Sequence, residues 1–230
     1  MEKDTSETAA KRRAGESAAE RVEDGMVVGL GTGSTAACAI DALGRRADAG
    51  LDIRGVATSF QSRERAKAAG VPLASLDEVD AVDVAIDGAD EVLEGGNALV
   101  KGGGAAHARE KIVDAFADDF LVVADPSKLT NALSHPVPVE VLPDARTTVS
   151  ASVEALGGDP VLRAATRKDG PVVTDNGNLV LDCDFGAIDD PAGLATALAG
   201  LPGVVEHGLF VGLTDEVHVG DDDGVRVRAL

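Results

Sequence analysis

Met26-Val27-Val28-Gly29-Leu30-Gly31-Thr32-Gly33-Ser34-Thr35-Ala36 decides how the first half of this chain is read. The apolar run Met26 to Leu30 has the length of a buried strand, and a helix-like segment, Ser34 to Ala47, opens directly after the glycine-rich turn. A strand that passes into a helix through such a turn presents free backbone N–H groups. Together with the helix dipole, these groups favour an anion, so the loop reads as a phosphate site. Gly31-x-Gly33-x-x-Ala36 also meets the looser dinucleotide pattern, which calls for an acidic residue roughly 20 positions on, at the end of the second strand. That end reads Val56-Ala57-Thr58-Ser59. With no acid there, and with hydroxyls at Thr32, Ser34 and Thr35, a terminal phosphate monoester suits the loop better. No Gly-Lys pair follows, which removes the Walker-type reading, while a purely structural tight turn stays open.

Outward from this loop the same alternation repeats. Strand candidates at Met26–Leu30, Ile53–Thr58, Val82–Ile86, Ala98–Lys101 and Phe120–Ala124 alternate with helix candidates at Thr5–Val22, Ser34–Ala47, Ser59–Ala69 and Gly104–Ala117. The pattern predicts an open α/β fold with a mostly parallel sheet. After Lys128 the alternation lapses, and Pro136, Pro138 and Pro143 punctuate an extended stretch. Beyond a boundary near residue 130, a helix at Val149–Leu156, a hairpin at Val172–Phe185 turning through Asp175-Asn176-Gly177-Asn178, and a helix at Pro191–Leu201 predict a small α+β domain. The tail, Val204–Leu230, returns to β-like alternation and fits either domain.

Bulk properties narrow the function. The 230 residues are 44% hydrophobic, enough to bury a substantial core. A net charge of -19, from 40 acidic against 21 basic residues, repels a phosphate backbone, and a chain without Trp or Tyr has little to stack on bases. Nucleic acid is thus not the expected partner. The longest uncharged stretches, Gly25–Ile40 and Pro191–Val205, are broken by Gly, Ser, Thr or Pro and fall short of the roughly 18 apolar residues of a membrane span. Met1–Val22 alternates acid and base with no apolar h-region, so no secretory signal is expected and a cytoplasmic protein is. Cys38 and Cys183 form no metal-binding spacing and read as reduced. The acidic excess is spread along the chain, which fits a surface kept soluble where salt screens its self-repulsion; an ordinary acidic protein is the plainer alternative.

Three further segments carry chemistry. Asp87-Gly88-Ala89-Asp90-Glu91 follows the apolar run Val84–Ile86 and so falls at the carboxyl edge of a parallel strand, where ligands bind. A solvated Asp-Gly turn and a Mg²⁺ site are the competing readings. Lys101-Gly102-Gly103-Gly104 lets backbone amides approach a ligand closely beside a positive charge, a combination suited to an oxyanion. Glu110 shares a helical stripe with Ala106, Val113 and Ala117 and has no base at i±4, so it lies along an otherwise apolar line. Desolvation there moves a carboxyl group toward the range in which it accepts and returns a proton. His107 has no ligand-spaced partner and reads as an isolated histidine. Lys128, after the strand ending at Ala124, suits an anionic substrate.

Taken in order, GLGTGSTA (29–36), DVAIDGADEV (83–92), VKGGGAAHAREKIV (100–113), ADPSKL (124–129), PVPVEVLP (136–143) and TDNGNLVLD (174–182) resemble type A ribose-5-phosphate isomerase over most of the chain. The bulky Phe60 departs from the small polar residues usual in that family. The resemblance implies a Rossmann-like domain, 1–130 plus 205–230, and a smaller α+β, ferredoxin-like domain, 131–204. It implies a homodimer or homotetramer that needs neither metal nor cofactor and interconverts ribose 5-phosphate and ribulose 5-phosphate. Lys11, Thr32, Gly33, Ser34, Thr35, Asp87, Gly88, Ala89, Asp90, Lys101, Gly102, Gly103, Gly104 and Lys128 would contact the sugar phosphate. Glu110 would move the proton, Lys101 would stabilise the enediolate, and Asp87 or Asp90 would assist ring opening. A non-catalytic sugar-phosphate sensor and an acyl-transferring or deaminating relative are the alternatives.

Overall fold

Apolar runs cut by glycine- and proline-containing turns give this chain many short elements. The structure is a computed structural model that describes residues 2–230, with side chains from residue 8 onward; Met1, where the segment expected to lack a secretory signal begins, lies outside the described residues. In chain order the elements are α1 (Glu2–Ala19), β1 (Val27–Leu30), α2 (Ser34–Asp48), β2 (Arg54–Ala57), α3 (Phe60–Ala68), β3 (Leu73–Ala74), β4 (Val82–Gly88), β5 (Glu91–Leu93), β6 (Ala98–Val100), α4 (His107–Phe116), β7 (Ala117–Ala124) and β8 (Leu129–Thr130). They continue with β9 (Val137–Val141), α5 (Arg146–Ala155), β10 (Asp159–Leu162), β11 (Leu179–Asp184), α6 (Pro191–Ala199), β12 (Val204–His207), β13 (Leu209–Val211), β14 (Glu216–Gly220) and β15 (Val225–Ala229).

These elements form two compact units. The first holds the described residues up to Ala89, Arg109–Leu129 and Leu213–Leu230; the second holds Asp90–Ala108 and Thr130–Gly212. The first unit is a seven-stranded sheet in the order β15-β14-β7-β4-β1-β2-β3. Every neighbouring pair is parallel except the edge pair β14–β15. Strands covered on both faces need apolar side chains on both, which is why β1 and the second half of β4 are buried almost throughout. One face packs Leu30, Ile86, Leu121 and Val123 against Ile40 and Leu43 of α2 and Ala14 and Ala18 of α1. On the other, Val27, Val56 and Val82 receive Val113 of α4.

The second unit contains a β9-α5-β10-β11-α6-β12 succession whose antiparallel sheet runs β10-β11-β9-β12, the ferredoxin-like arrangement. Its core gathers Val137, Val139, Val141, Val149, Val153, Leu181 and Leu198. A smaller sheet, β13-β6-β5-β8, completes it.

Local reading went astray in three places. The strand expected at Ala98–Lys101 is not part of the parallel sheet: β6 pairs antiparallel with β5 and β13. The reason is the turn after β5, where Gly95 takes φ 77° and folds the chain back on itself. The hairpin expected at Val172–Phe185 keeps only its second arm. The first is reduced to a Val173–Leu179 bridge, because Thr174, Asn176 and Asn178 turn their side chains onto Oε1 of buried Glu140 at 2.9, 3.1 and 2.7 Å. The tail divides, β12 and β13 lying in the second unit and β14 and β15 in the first. Both cysteines are free, and burial, helped by Asp182, pushes the Cys183 thiol up to about 12. Among the described residues no helix is long and apolar enough to cross a membrane.

Candidate active site

In the first unit, the glycine loop sits at the carboxyl edge of β1 and is held from beneath by Asp87, the last side chain of β4 before its closing glycine. Asp87 is fully buried, and its Oδ1 accepts from the amides of Thr32 at 3.0 Å and Gly88 at 2.6 Å. A Cβ at Gly31 would overlap the Asp87 carboxyl group, so only glycine lets strand and loop approach this closely. The Thr32 hydroxyl meets Thr58 Oγ1 at 2.9 Å and donates to Ser59 Oγ at 2.7 Å. Those two hydroxyls stand at the end of β2, where a dinucleotide site would carry its acid.

Beyond the loop, α2 begins at Ser34. Gly33 occupies its N-cap at φ 111°, and no side chain caps the helix. A 15-residue helix whose first amides lack a side-chain acceptor keeps its positive dipole end available to an anion. Thr35 is buried within this turn and Ser34 is exposed. Lys11 of α1 lies on the same side. Gly15, one turn after Lys11, leaves room only for close contact with Cys38 and Ala39 of α2. The electrostatics agree: burial raises the Cys38 thiol, Asp41 raises it further, and Arg65 and Lys11 oppose them.

Glu110 is 3% exposed. Helix α4 runs into β7 at the sheet's amino edge, so its N-terminal turns reach toward the carboxyl edge, where Asp87 and Thr32 lie. Val113 fixes the depth, since a Cβ on Gly29 of β1 would stand 2.6 Å from its Cγ1. Glu110, three residues earlier, is about 4.5 Å further toward the loop. Its stripe is less apolar than expected, because Asp114, one turn on, is also buried. Lys128 is half-buried at the end of β7, in a single 3-10 turn that Asp125 caps through the Ser127 amide at 2.9 Å.

In the second unit, Lys101 follows β6 and is 2% exposed, its Nζ 5.3 Å from the centre of the Phe210 ring. Its amide donates to Gly208 O at 2.8 Å, and a Cβ on Gly208 would overlap the Lys101 carbonyl. Gly102 takes φ 103°, and Ala105 closes the loop at φ 58°, the one non-glycine positive φ among the described residues. Such a conformation costs about 1 kcal/mol and persists where neighbours enforce it. The Gly103 amide donates to Asp90 Oδ2 at 2.7 Å, so this glycine holds the second aspartate of the acidic turn. Gly103 and Gly104 are exposed, and His107 is fully buried beside Gly102.

The expected residues thus assemble in two groups, Lys11, Thr32–Thr35, Asp87–Ala89, Glu110 and Lys128 in one unit and Asp90 and Lys101–Gly104 in the other. Sequence reading missed Thr58, Ser59, Phe210, Arg163 and Asp182. The first two were noticed only as the absence of an acid, and the rest belong to segments with no local signature.

The family model described as ribose 5-phosphate isomerase A (phosphoriboisomerase A) matches residues 54–224. Ribose-5-phosphate isomerase A of Haloarcula marismortui is 71% identical over 222 residues, covering 96% of each chain. Among solved structures, ribose 5-phosphate isomerase A from Methanocaldococcus jannaschii is 45% identical with a TM-score of 0.92, over 96% of this chain and 98% of that one. A D-ribose-5-phosphate isomerase in complex with phospho-erythronic acid is 44% identical with the same score, over 96% and 97%.

Proposed function

The chain belongs to the ribose 5-phosphate isomerase A family and interconverts ribose 5-phosphate and ribulose 5-phosphate as an aldose-ketose isomerase of the pentose phosphate pathway, and from that membership we propose that Glu110 carries the proton between C2 and C1. The observation that supports this role is a carboxyl group buried on α4 one turn before Val113, which packs against the parallel sheet. Relatives 65 to 71% identical, matched over nearly their full length, are ribose-5-phosphate isomerases, which disfavours a sensor or an acyl-transferring or deaminating enzyme.

In this reading the phosphate of the open-chain aldose rests on the amides and hydroxyls of Thr32–Thr35, with Lys11 and Lys128 supplying charge. Glu110 removes the C2 proton; the electron pair forms the C1–C2 double bond, and the C1 carbonyl oxygen becomes the enediolate oxygen. Lys101 and the glycine amides stabilise that oxygen, each donor of this kind contributing roughly 3 kcal/mol. Glu110 then returns the proton to C1, and C2 becomes the carbonyl. Asp87 secures the loop, while Asp90, steadied by Gly103, assists ring opening and the exchange between the two hydroxyls. We further propose a cytoplasmic homodimer or homotetramer, which light scattering on the purified protein would resolve. Glu110→Gln is expected to lower kcat on the order of 10³-fold while ribose 5-phosphate still raises the melting temperature. Undiminished turnover by that variant would overturn the assignment.

A further inference from the structure

A run of three glycines is the least organised backbone a protein can build, because each residue has the widest choice of φ and ψ to lose. Yet Gly102–Gly104 must keep its amides aimed if it is to stabilise charge. The constraint comes from Arg163, directly after β10. Its guanidinium Nε donates to Asp182 Oδ2 at 2.9 Å, and Nη2 pairs with Asp182 Oδ1. Nη1 donates to the carbonyl oxygens of both Gly102, at 2.9 Å, and Gly103, at 3.1 Å. The arginine is itself anchored, its amide donating to Val180 O and its carbonyl accepting from Val172 N, both at 2.9 Å.

Peptide planarity turns these contacts into a statement about the opposite side of the loop. In a trans peptide the carbonyl and the following N–H point in opposite directions. With the Gly102 carbonyl tied to Arg163, the Gly103 N–H is directed away from it, and it donates to Asp90. With the Gly103 carbonyl tied to the same nitrogen, the Gly104 N–H is directed away likewise. A cation on each carbonyl also polarises its peptide and strengthens what the N–H donates.

We propose that Arg163, oriented by Asp182, is a positioning residue for the isomerisation: it fixes the two glycine peptides that aim Asp90 and the Gly104 amide. The proposal rests on the reading that this loop serves the reaction. Lysine cannot replace it, since one ammonium lacks the fork needed to engage Asp182 and both carbonyls at once.

The test compares Arg163→Lys, Arg163→Ala and Asp182→Asn with Glu110→Gln, using steady-state isomerisation and amide hydrogen exchange in Gly103 and Gly104. A misaligned loop is expected to lower kcat about 100-fold with KM changed less than about threefold, to speed exchange at those glycines, and to let added guanidinium restore part of the Arg163→Ala turnover. A kcat within twofold of the parent in the Arg163 variants, with Glu110→Gln inactive, overturns the clamp and leaves the isomerase reading intact. Active Glu110→Gln with impaired, guanidinium-rescued Arg163→Ala overturns the base assignment and leaves the clamp. If Arg163→Ala does not fold, Arg163→Lys and Asp182→Asn, judged by the same kinetics and exchange, decide the question.

Discussion

In the proposed reading, the two glycine loops meet the same demand, backbone amides held ready for negative charge, by opposite means. The first is fixed from within the sheet: the Thr58 and Ser59 hydroxyls hold the Thr32 side chain, the buried Asp87 carboxylate holds the Thr32 amide, and Gly31 is required by the closeness of that carboxylate. The second is fixed by charge from outside, Lys101 lying against Phe210 and Arg163 forking across two carbonyls. A helix N-terminus already has oriented dipoles and needs only a closely fitting strand beneath it. Three glycines outside any helix have no such order, so cations must impose it.

The sharpest way to break this contrast is to place the same methyl group in each loop. Gly31→Ala drives a Cβ into a buried carboxylate that cannot move without releasing two amides, and urea denaturation is expected to register a loss of about 3 kcal/mol. In Gly103→Ala the Cβ would stand 2.6 Å from Asp90 Oδ1, the end of a half-buried side chain that can yield. Stability should fall by less than about 1 kcal/mol while turnover drops on the order of tenfold. Equal stability losses at the two positions would erase the distinction.

Next in size, Phe210→Leu removes the ring face beneath the Lys101 ammonium and is expected to lower kcat up to roughly tenfold, the value of a partly desolvated cation–π contact, with KM for the phosphate end unchanged. Salt tests the acidity of the chain as a whole: raising KCl from dilute buffer to molar concentration should lift the melting temperature by about 5 °C as the net charge of -19 is screened. A flat salt response would mark the acidity as incidental.

The smallest effect concerns His218 of β14, in the first unit, which is 1% exposed, with Nδ1 at 2.9 Å from Ser17 and Nε2 at 3.1 Å from Glu216, itself paired with Arg21. Burial lowers its folded pKa below the ordinary 6.5, against the pull of Glu216. The unfolded chain therefore takes up this proton first. Stability should decline as pH falls below about 6.5, and His218→Gln should flatten that part of the profile in denaturation measured between pH 7 and 5.

How far each loop could be read from the chain alone follows from the same contrast. The start of α2 and the glycine turn before it were legible, because backbone dihedrals and helix ends depend on residues a few positions apart. So was the parallel sheet, through the continuous apolar runs of β1 and β4. Glu110 stood out because helical periodicity is local, although the burial of Asp114 beside it went unseen.

What escaped was everything that rests on distant partners. Asp87 reads in the sequence as a residue at a ligand site, and only the fold shows that it accepts the Thr32 amide 55 positions away and holds the loop up. Arg163 carried no signal at all, since its two carbonyl partners lie 61 and 60 residues earlier and belong to backbone atoms, which have no residue identity to read. Ala98–Val100 has the composition of a central strand, and only the turn at Gly95 with the pairing of Leu209–Val211 assigned it to another sheet. Residue types and their short spacings set the menu of elements and chemical groups here, because those are properties of neighbouring atoms. Which carboxylate supports a loop and which arginine orients it were decided by packing, because a hydrogen bond depends on where two groups meet in space and not on how far apart they stand along the chain.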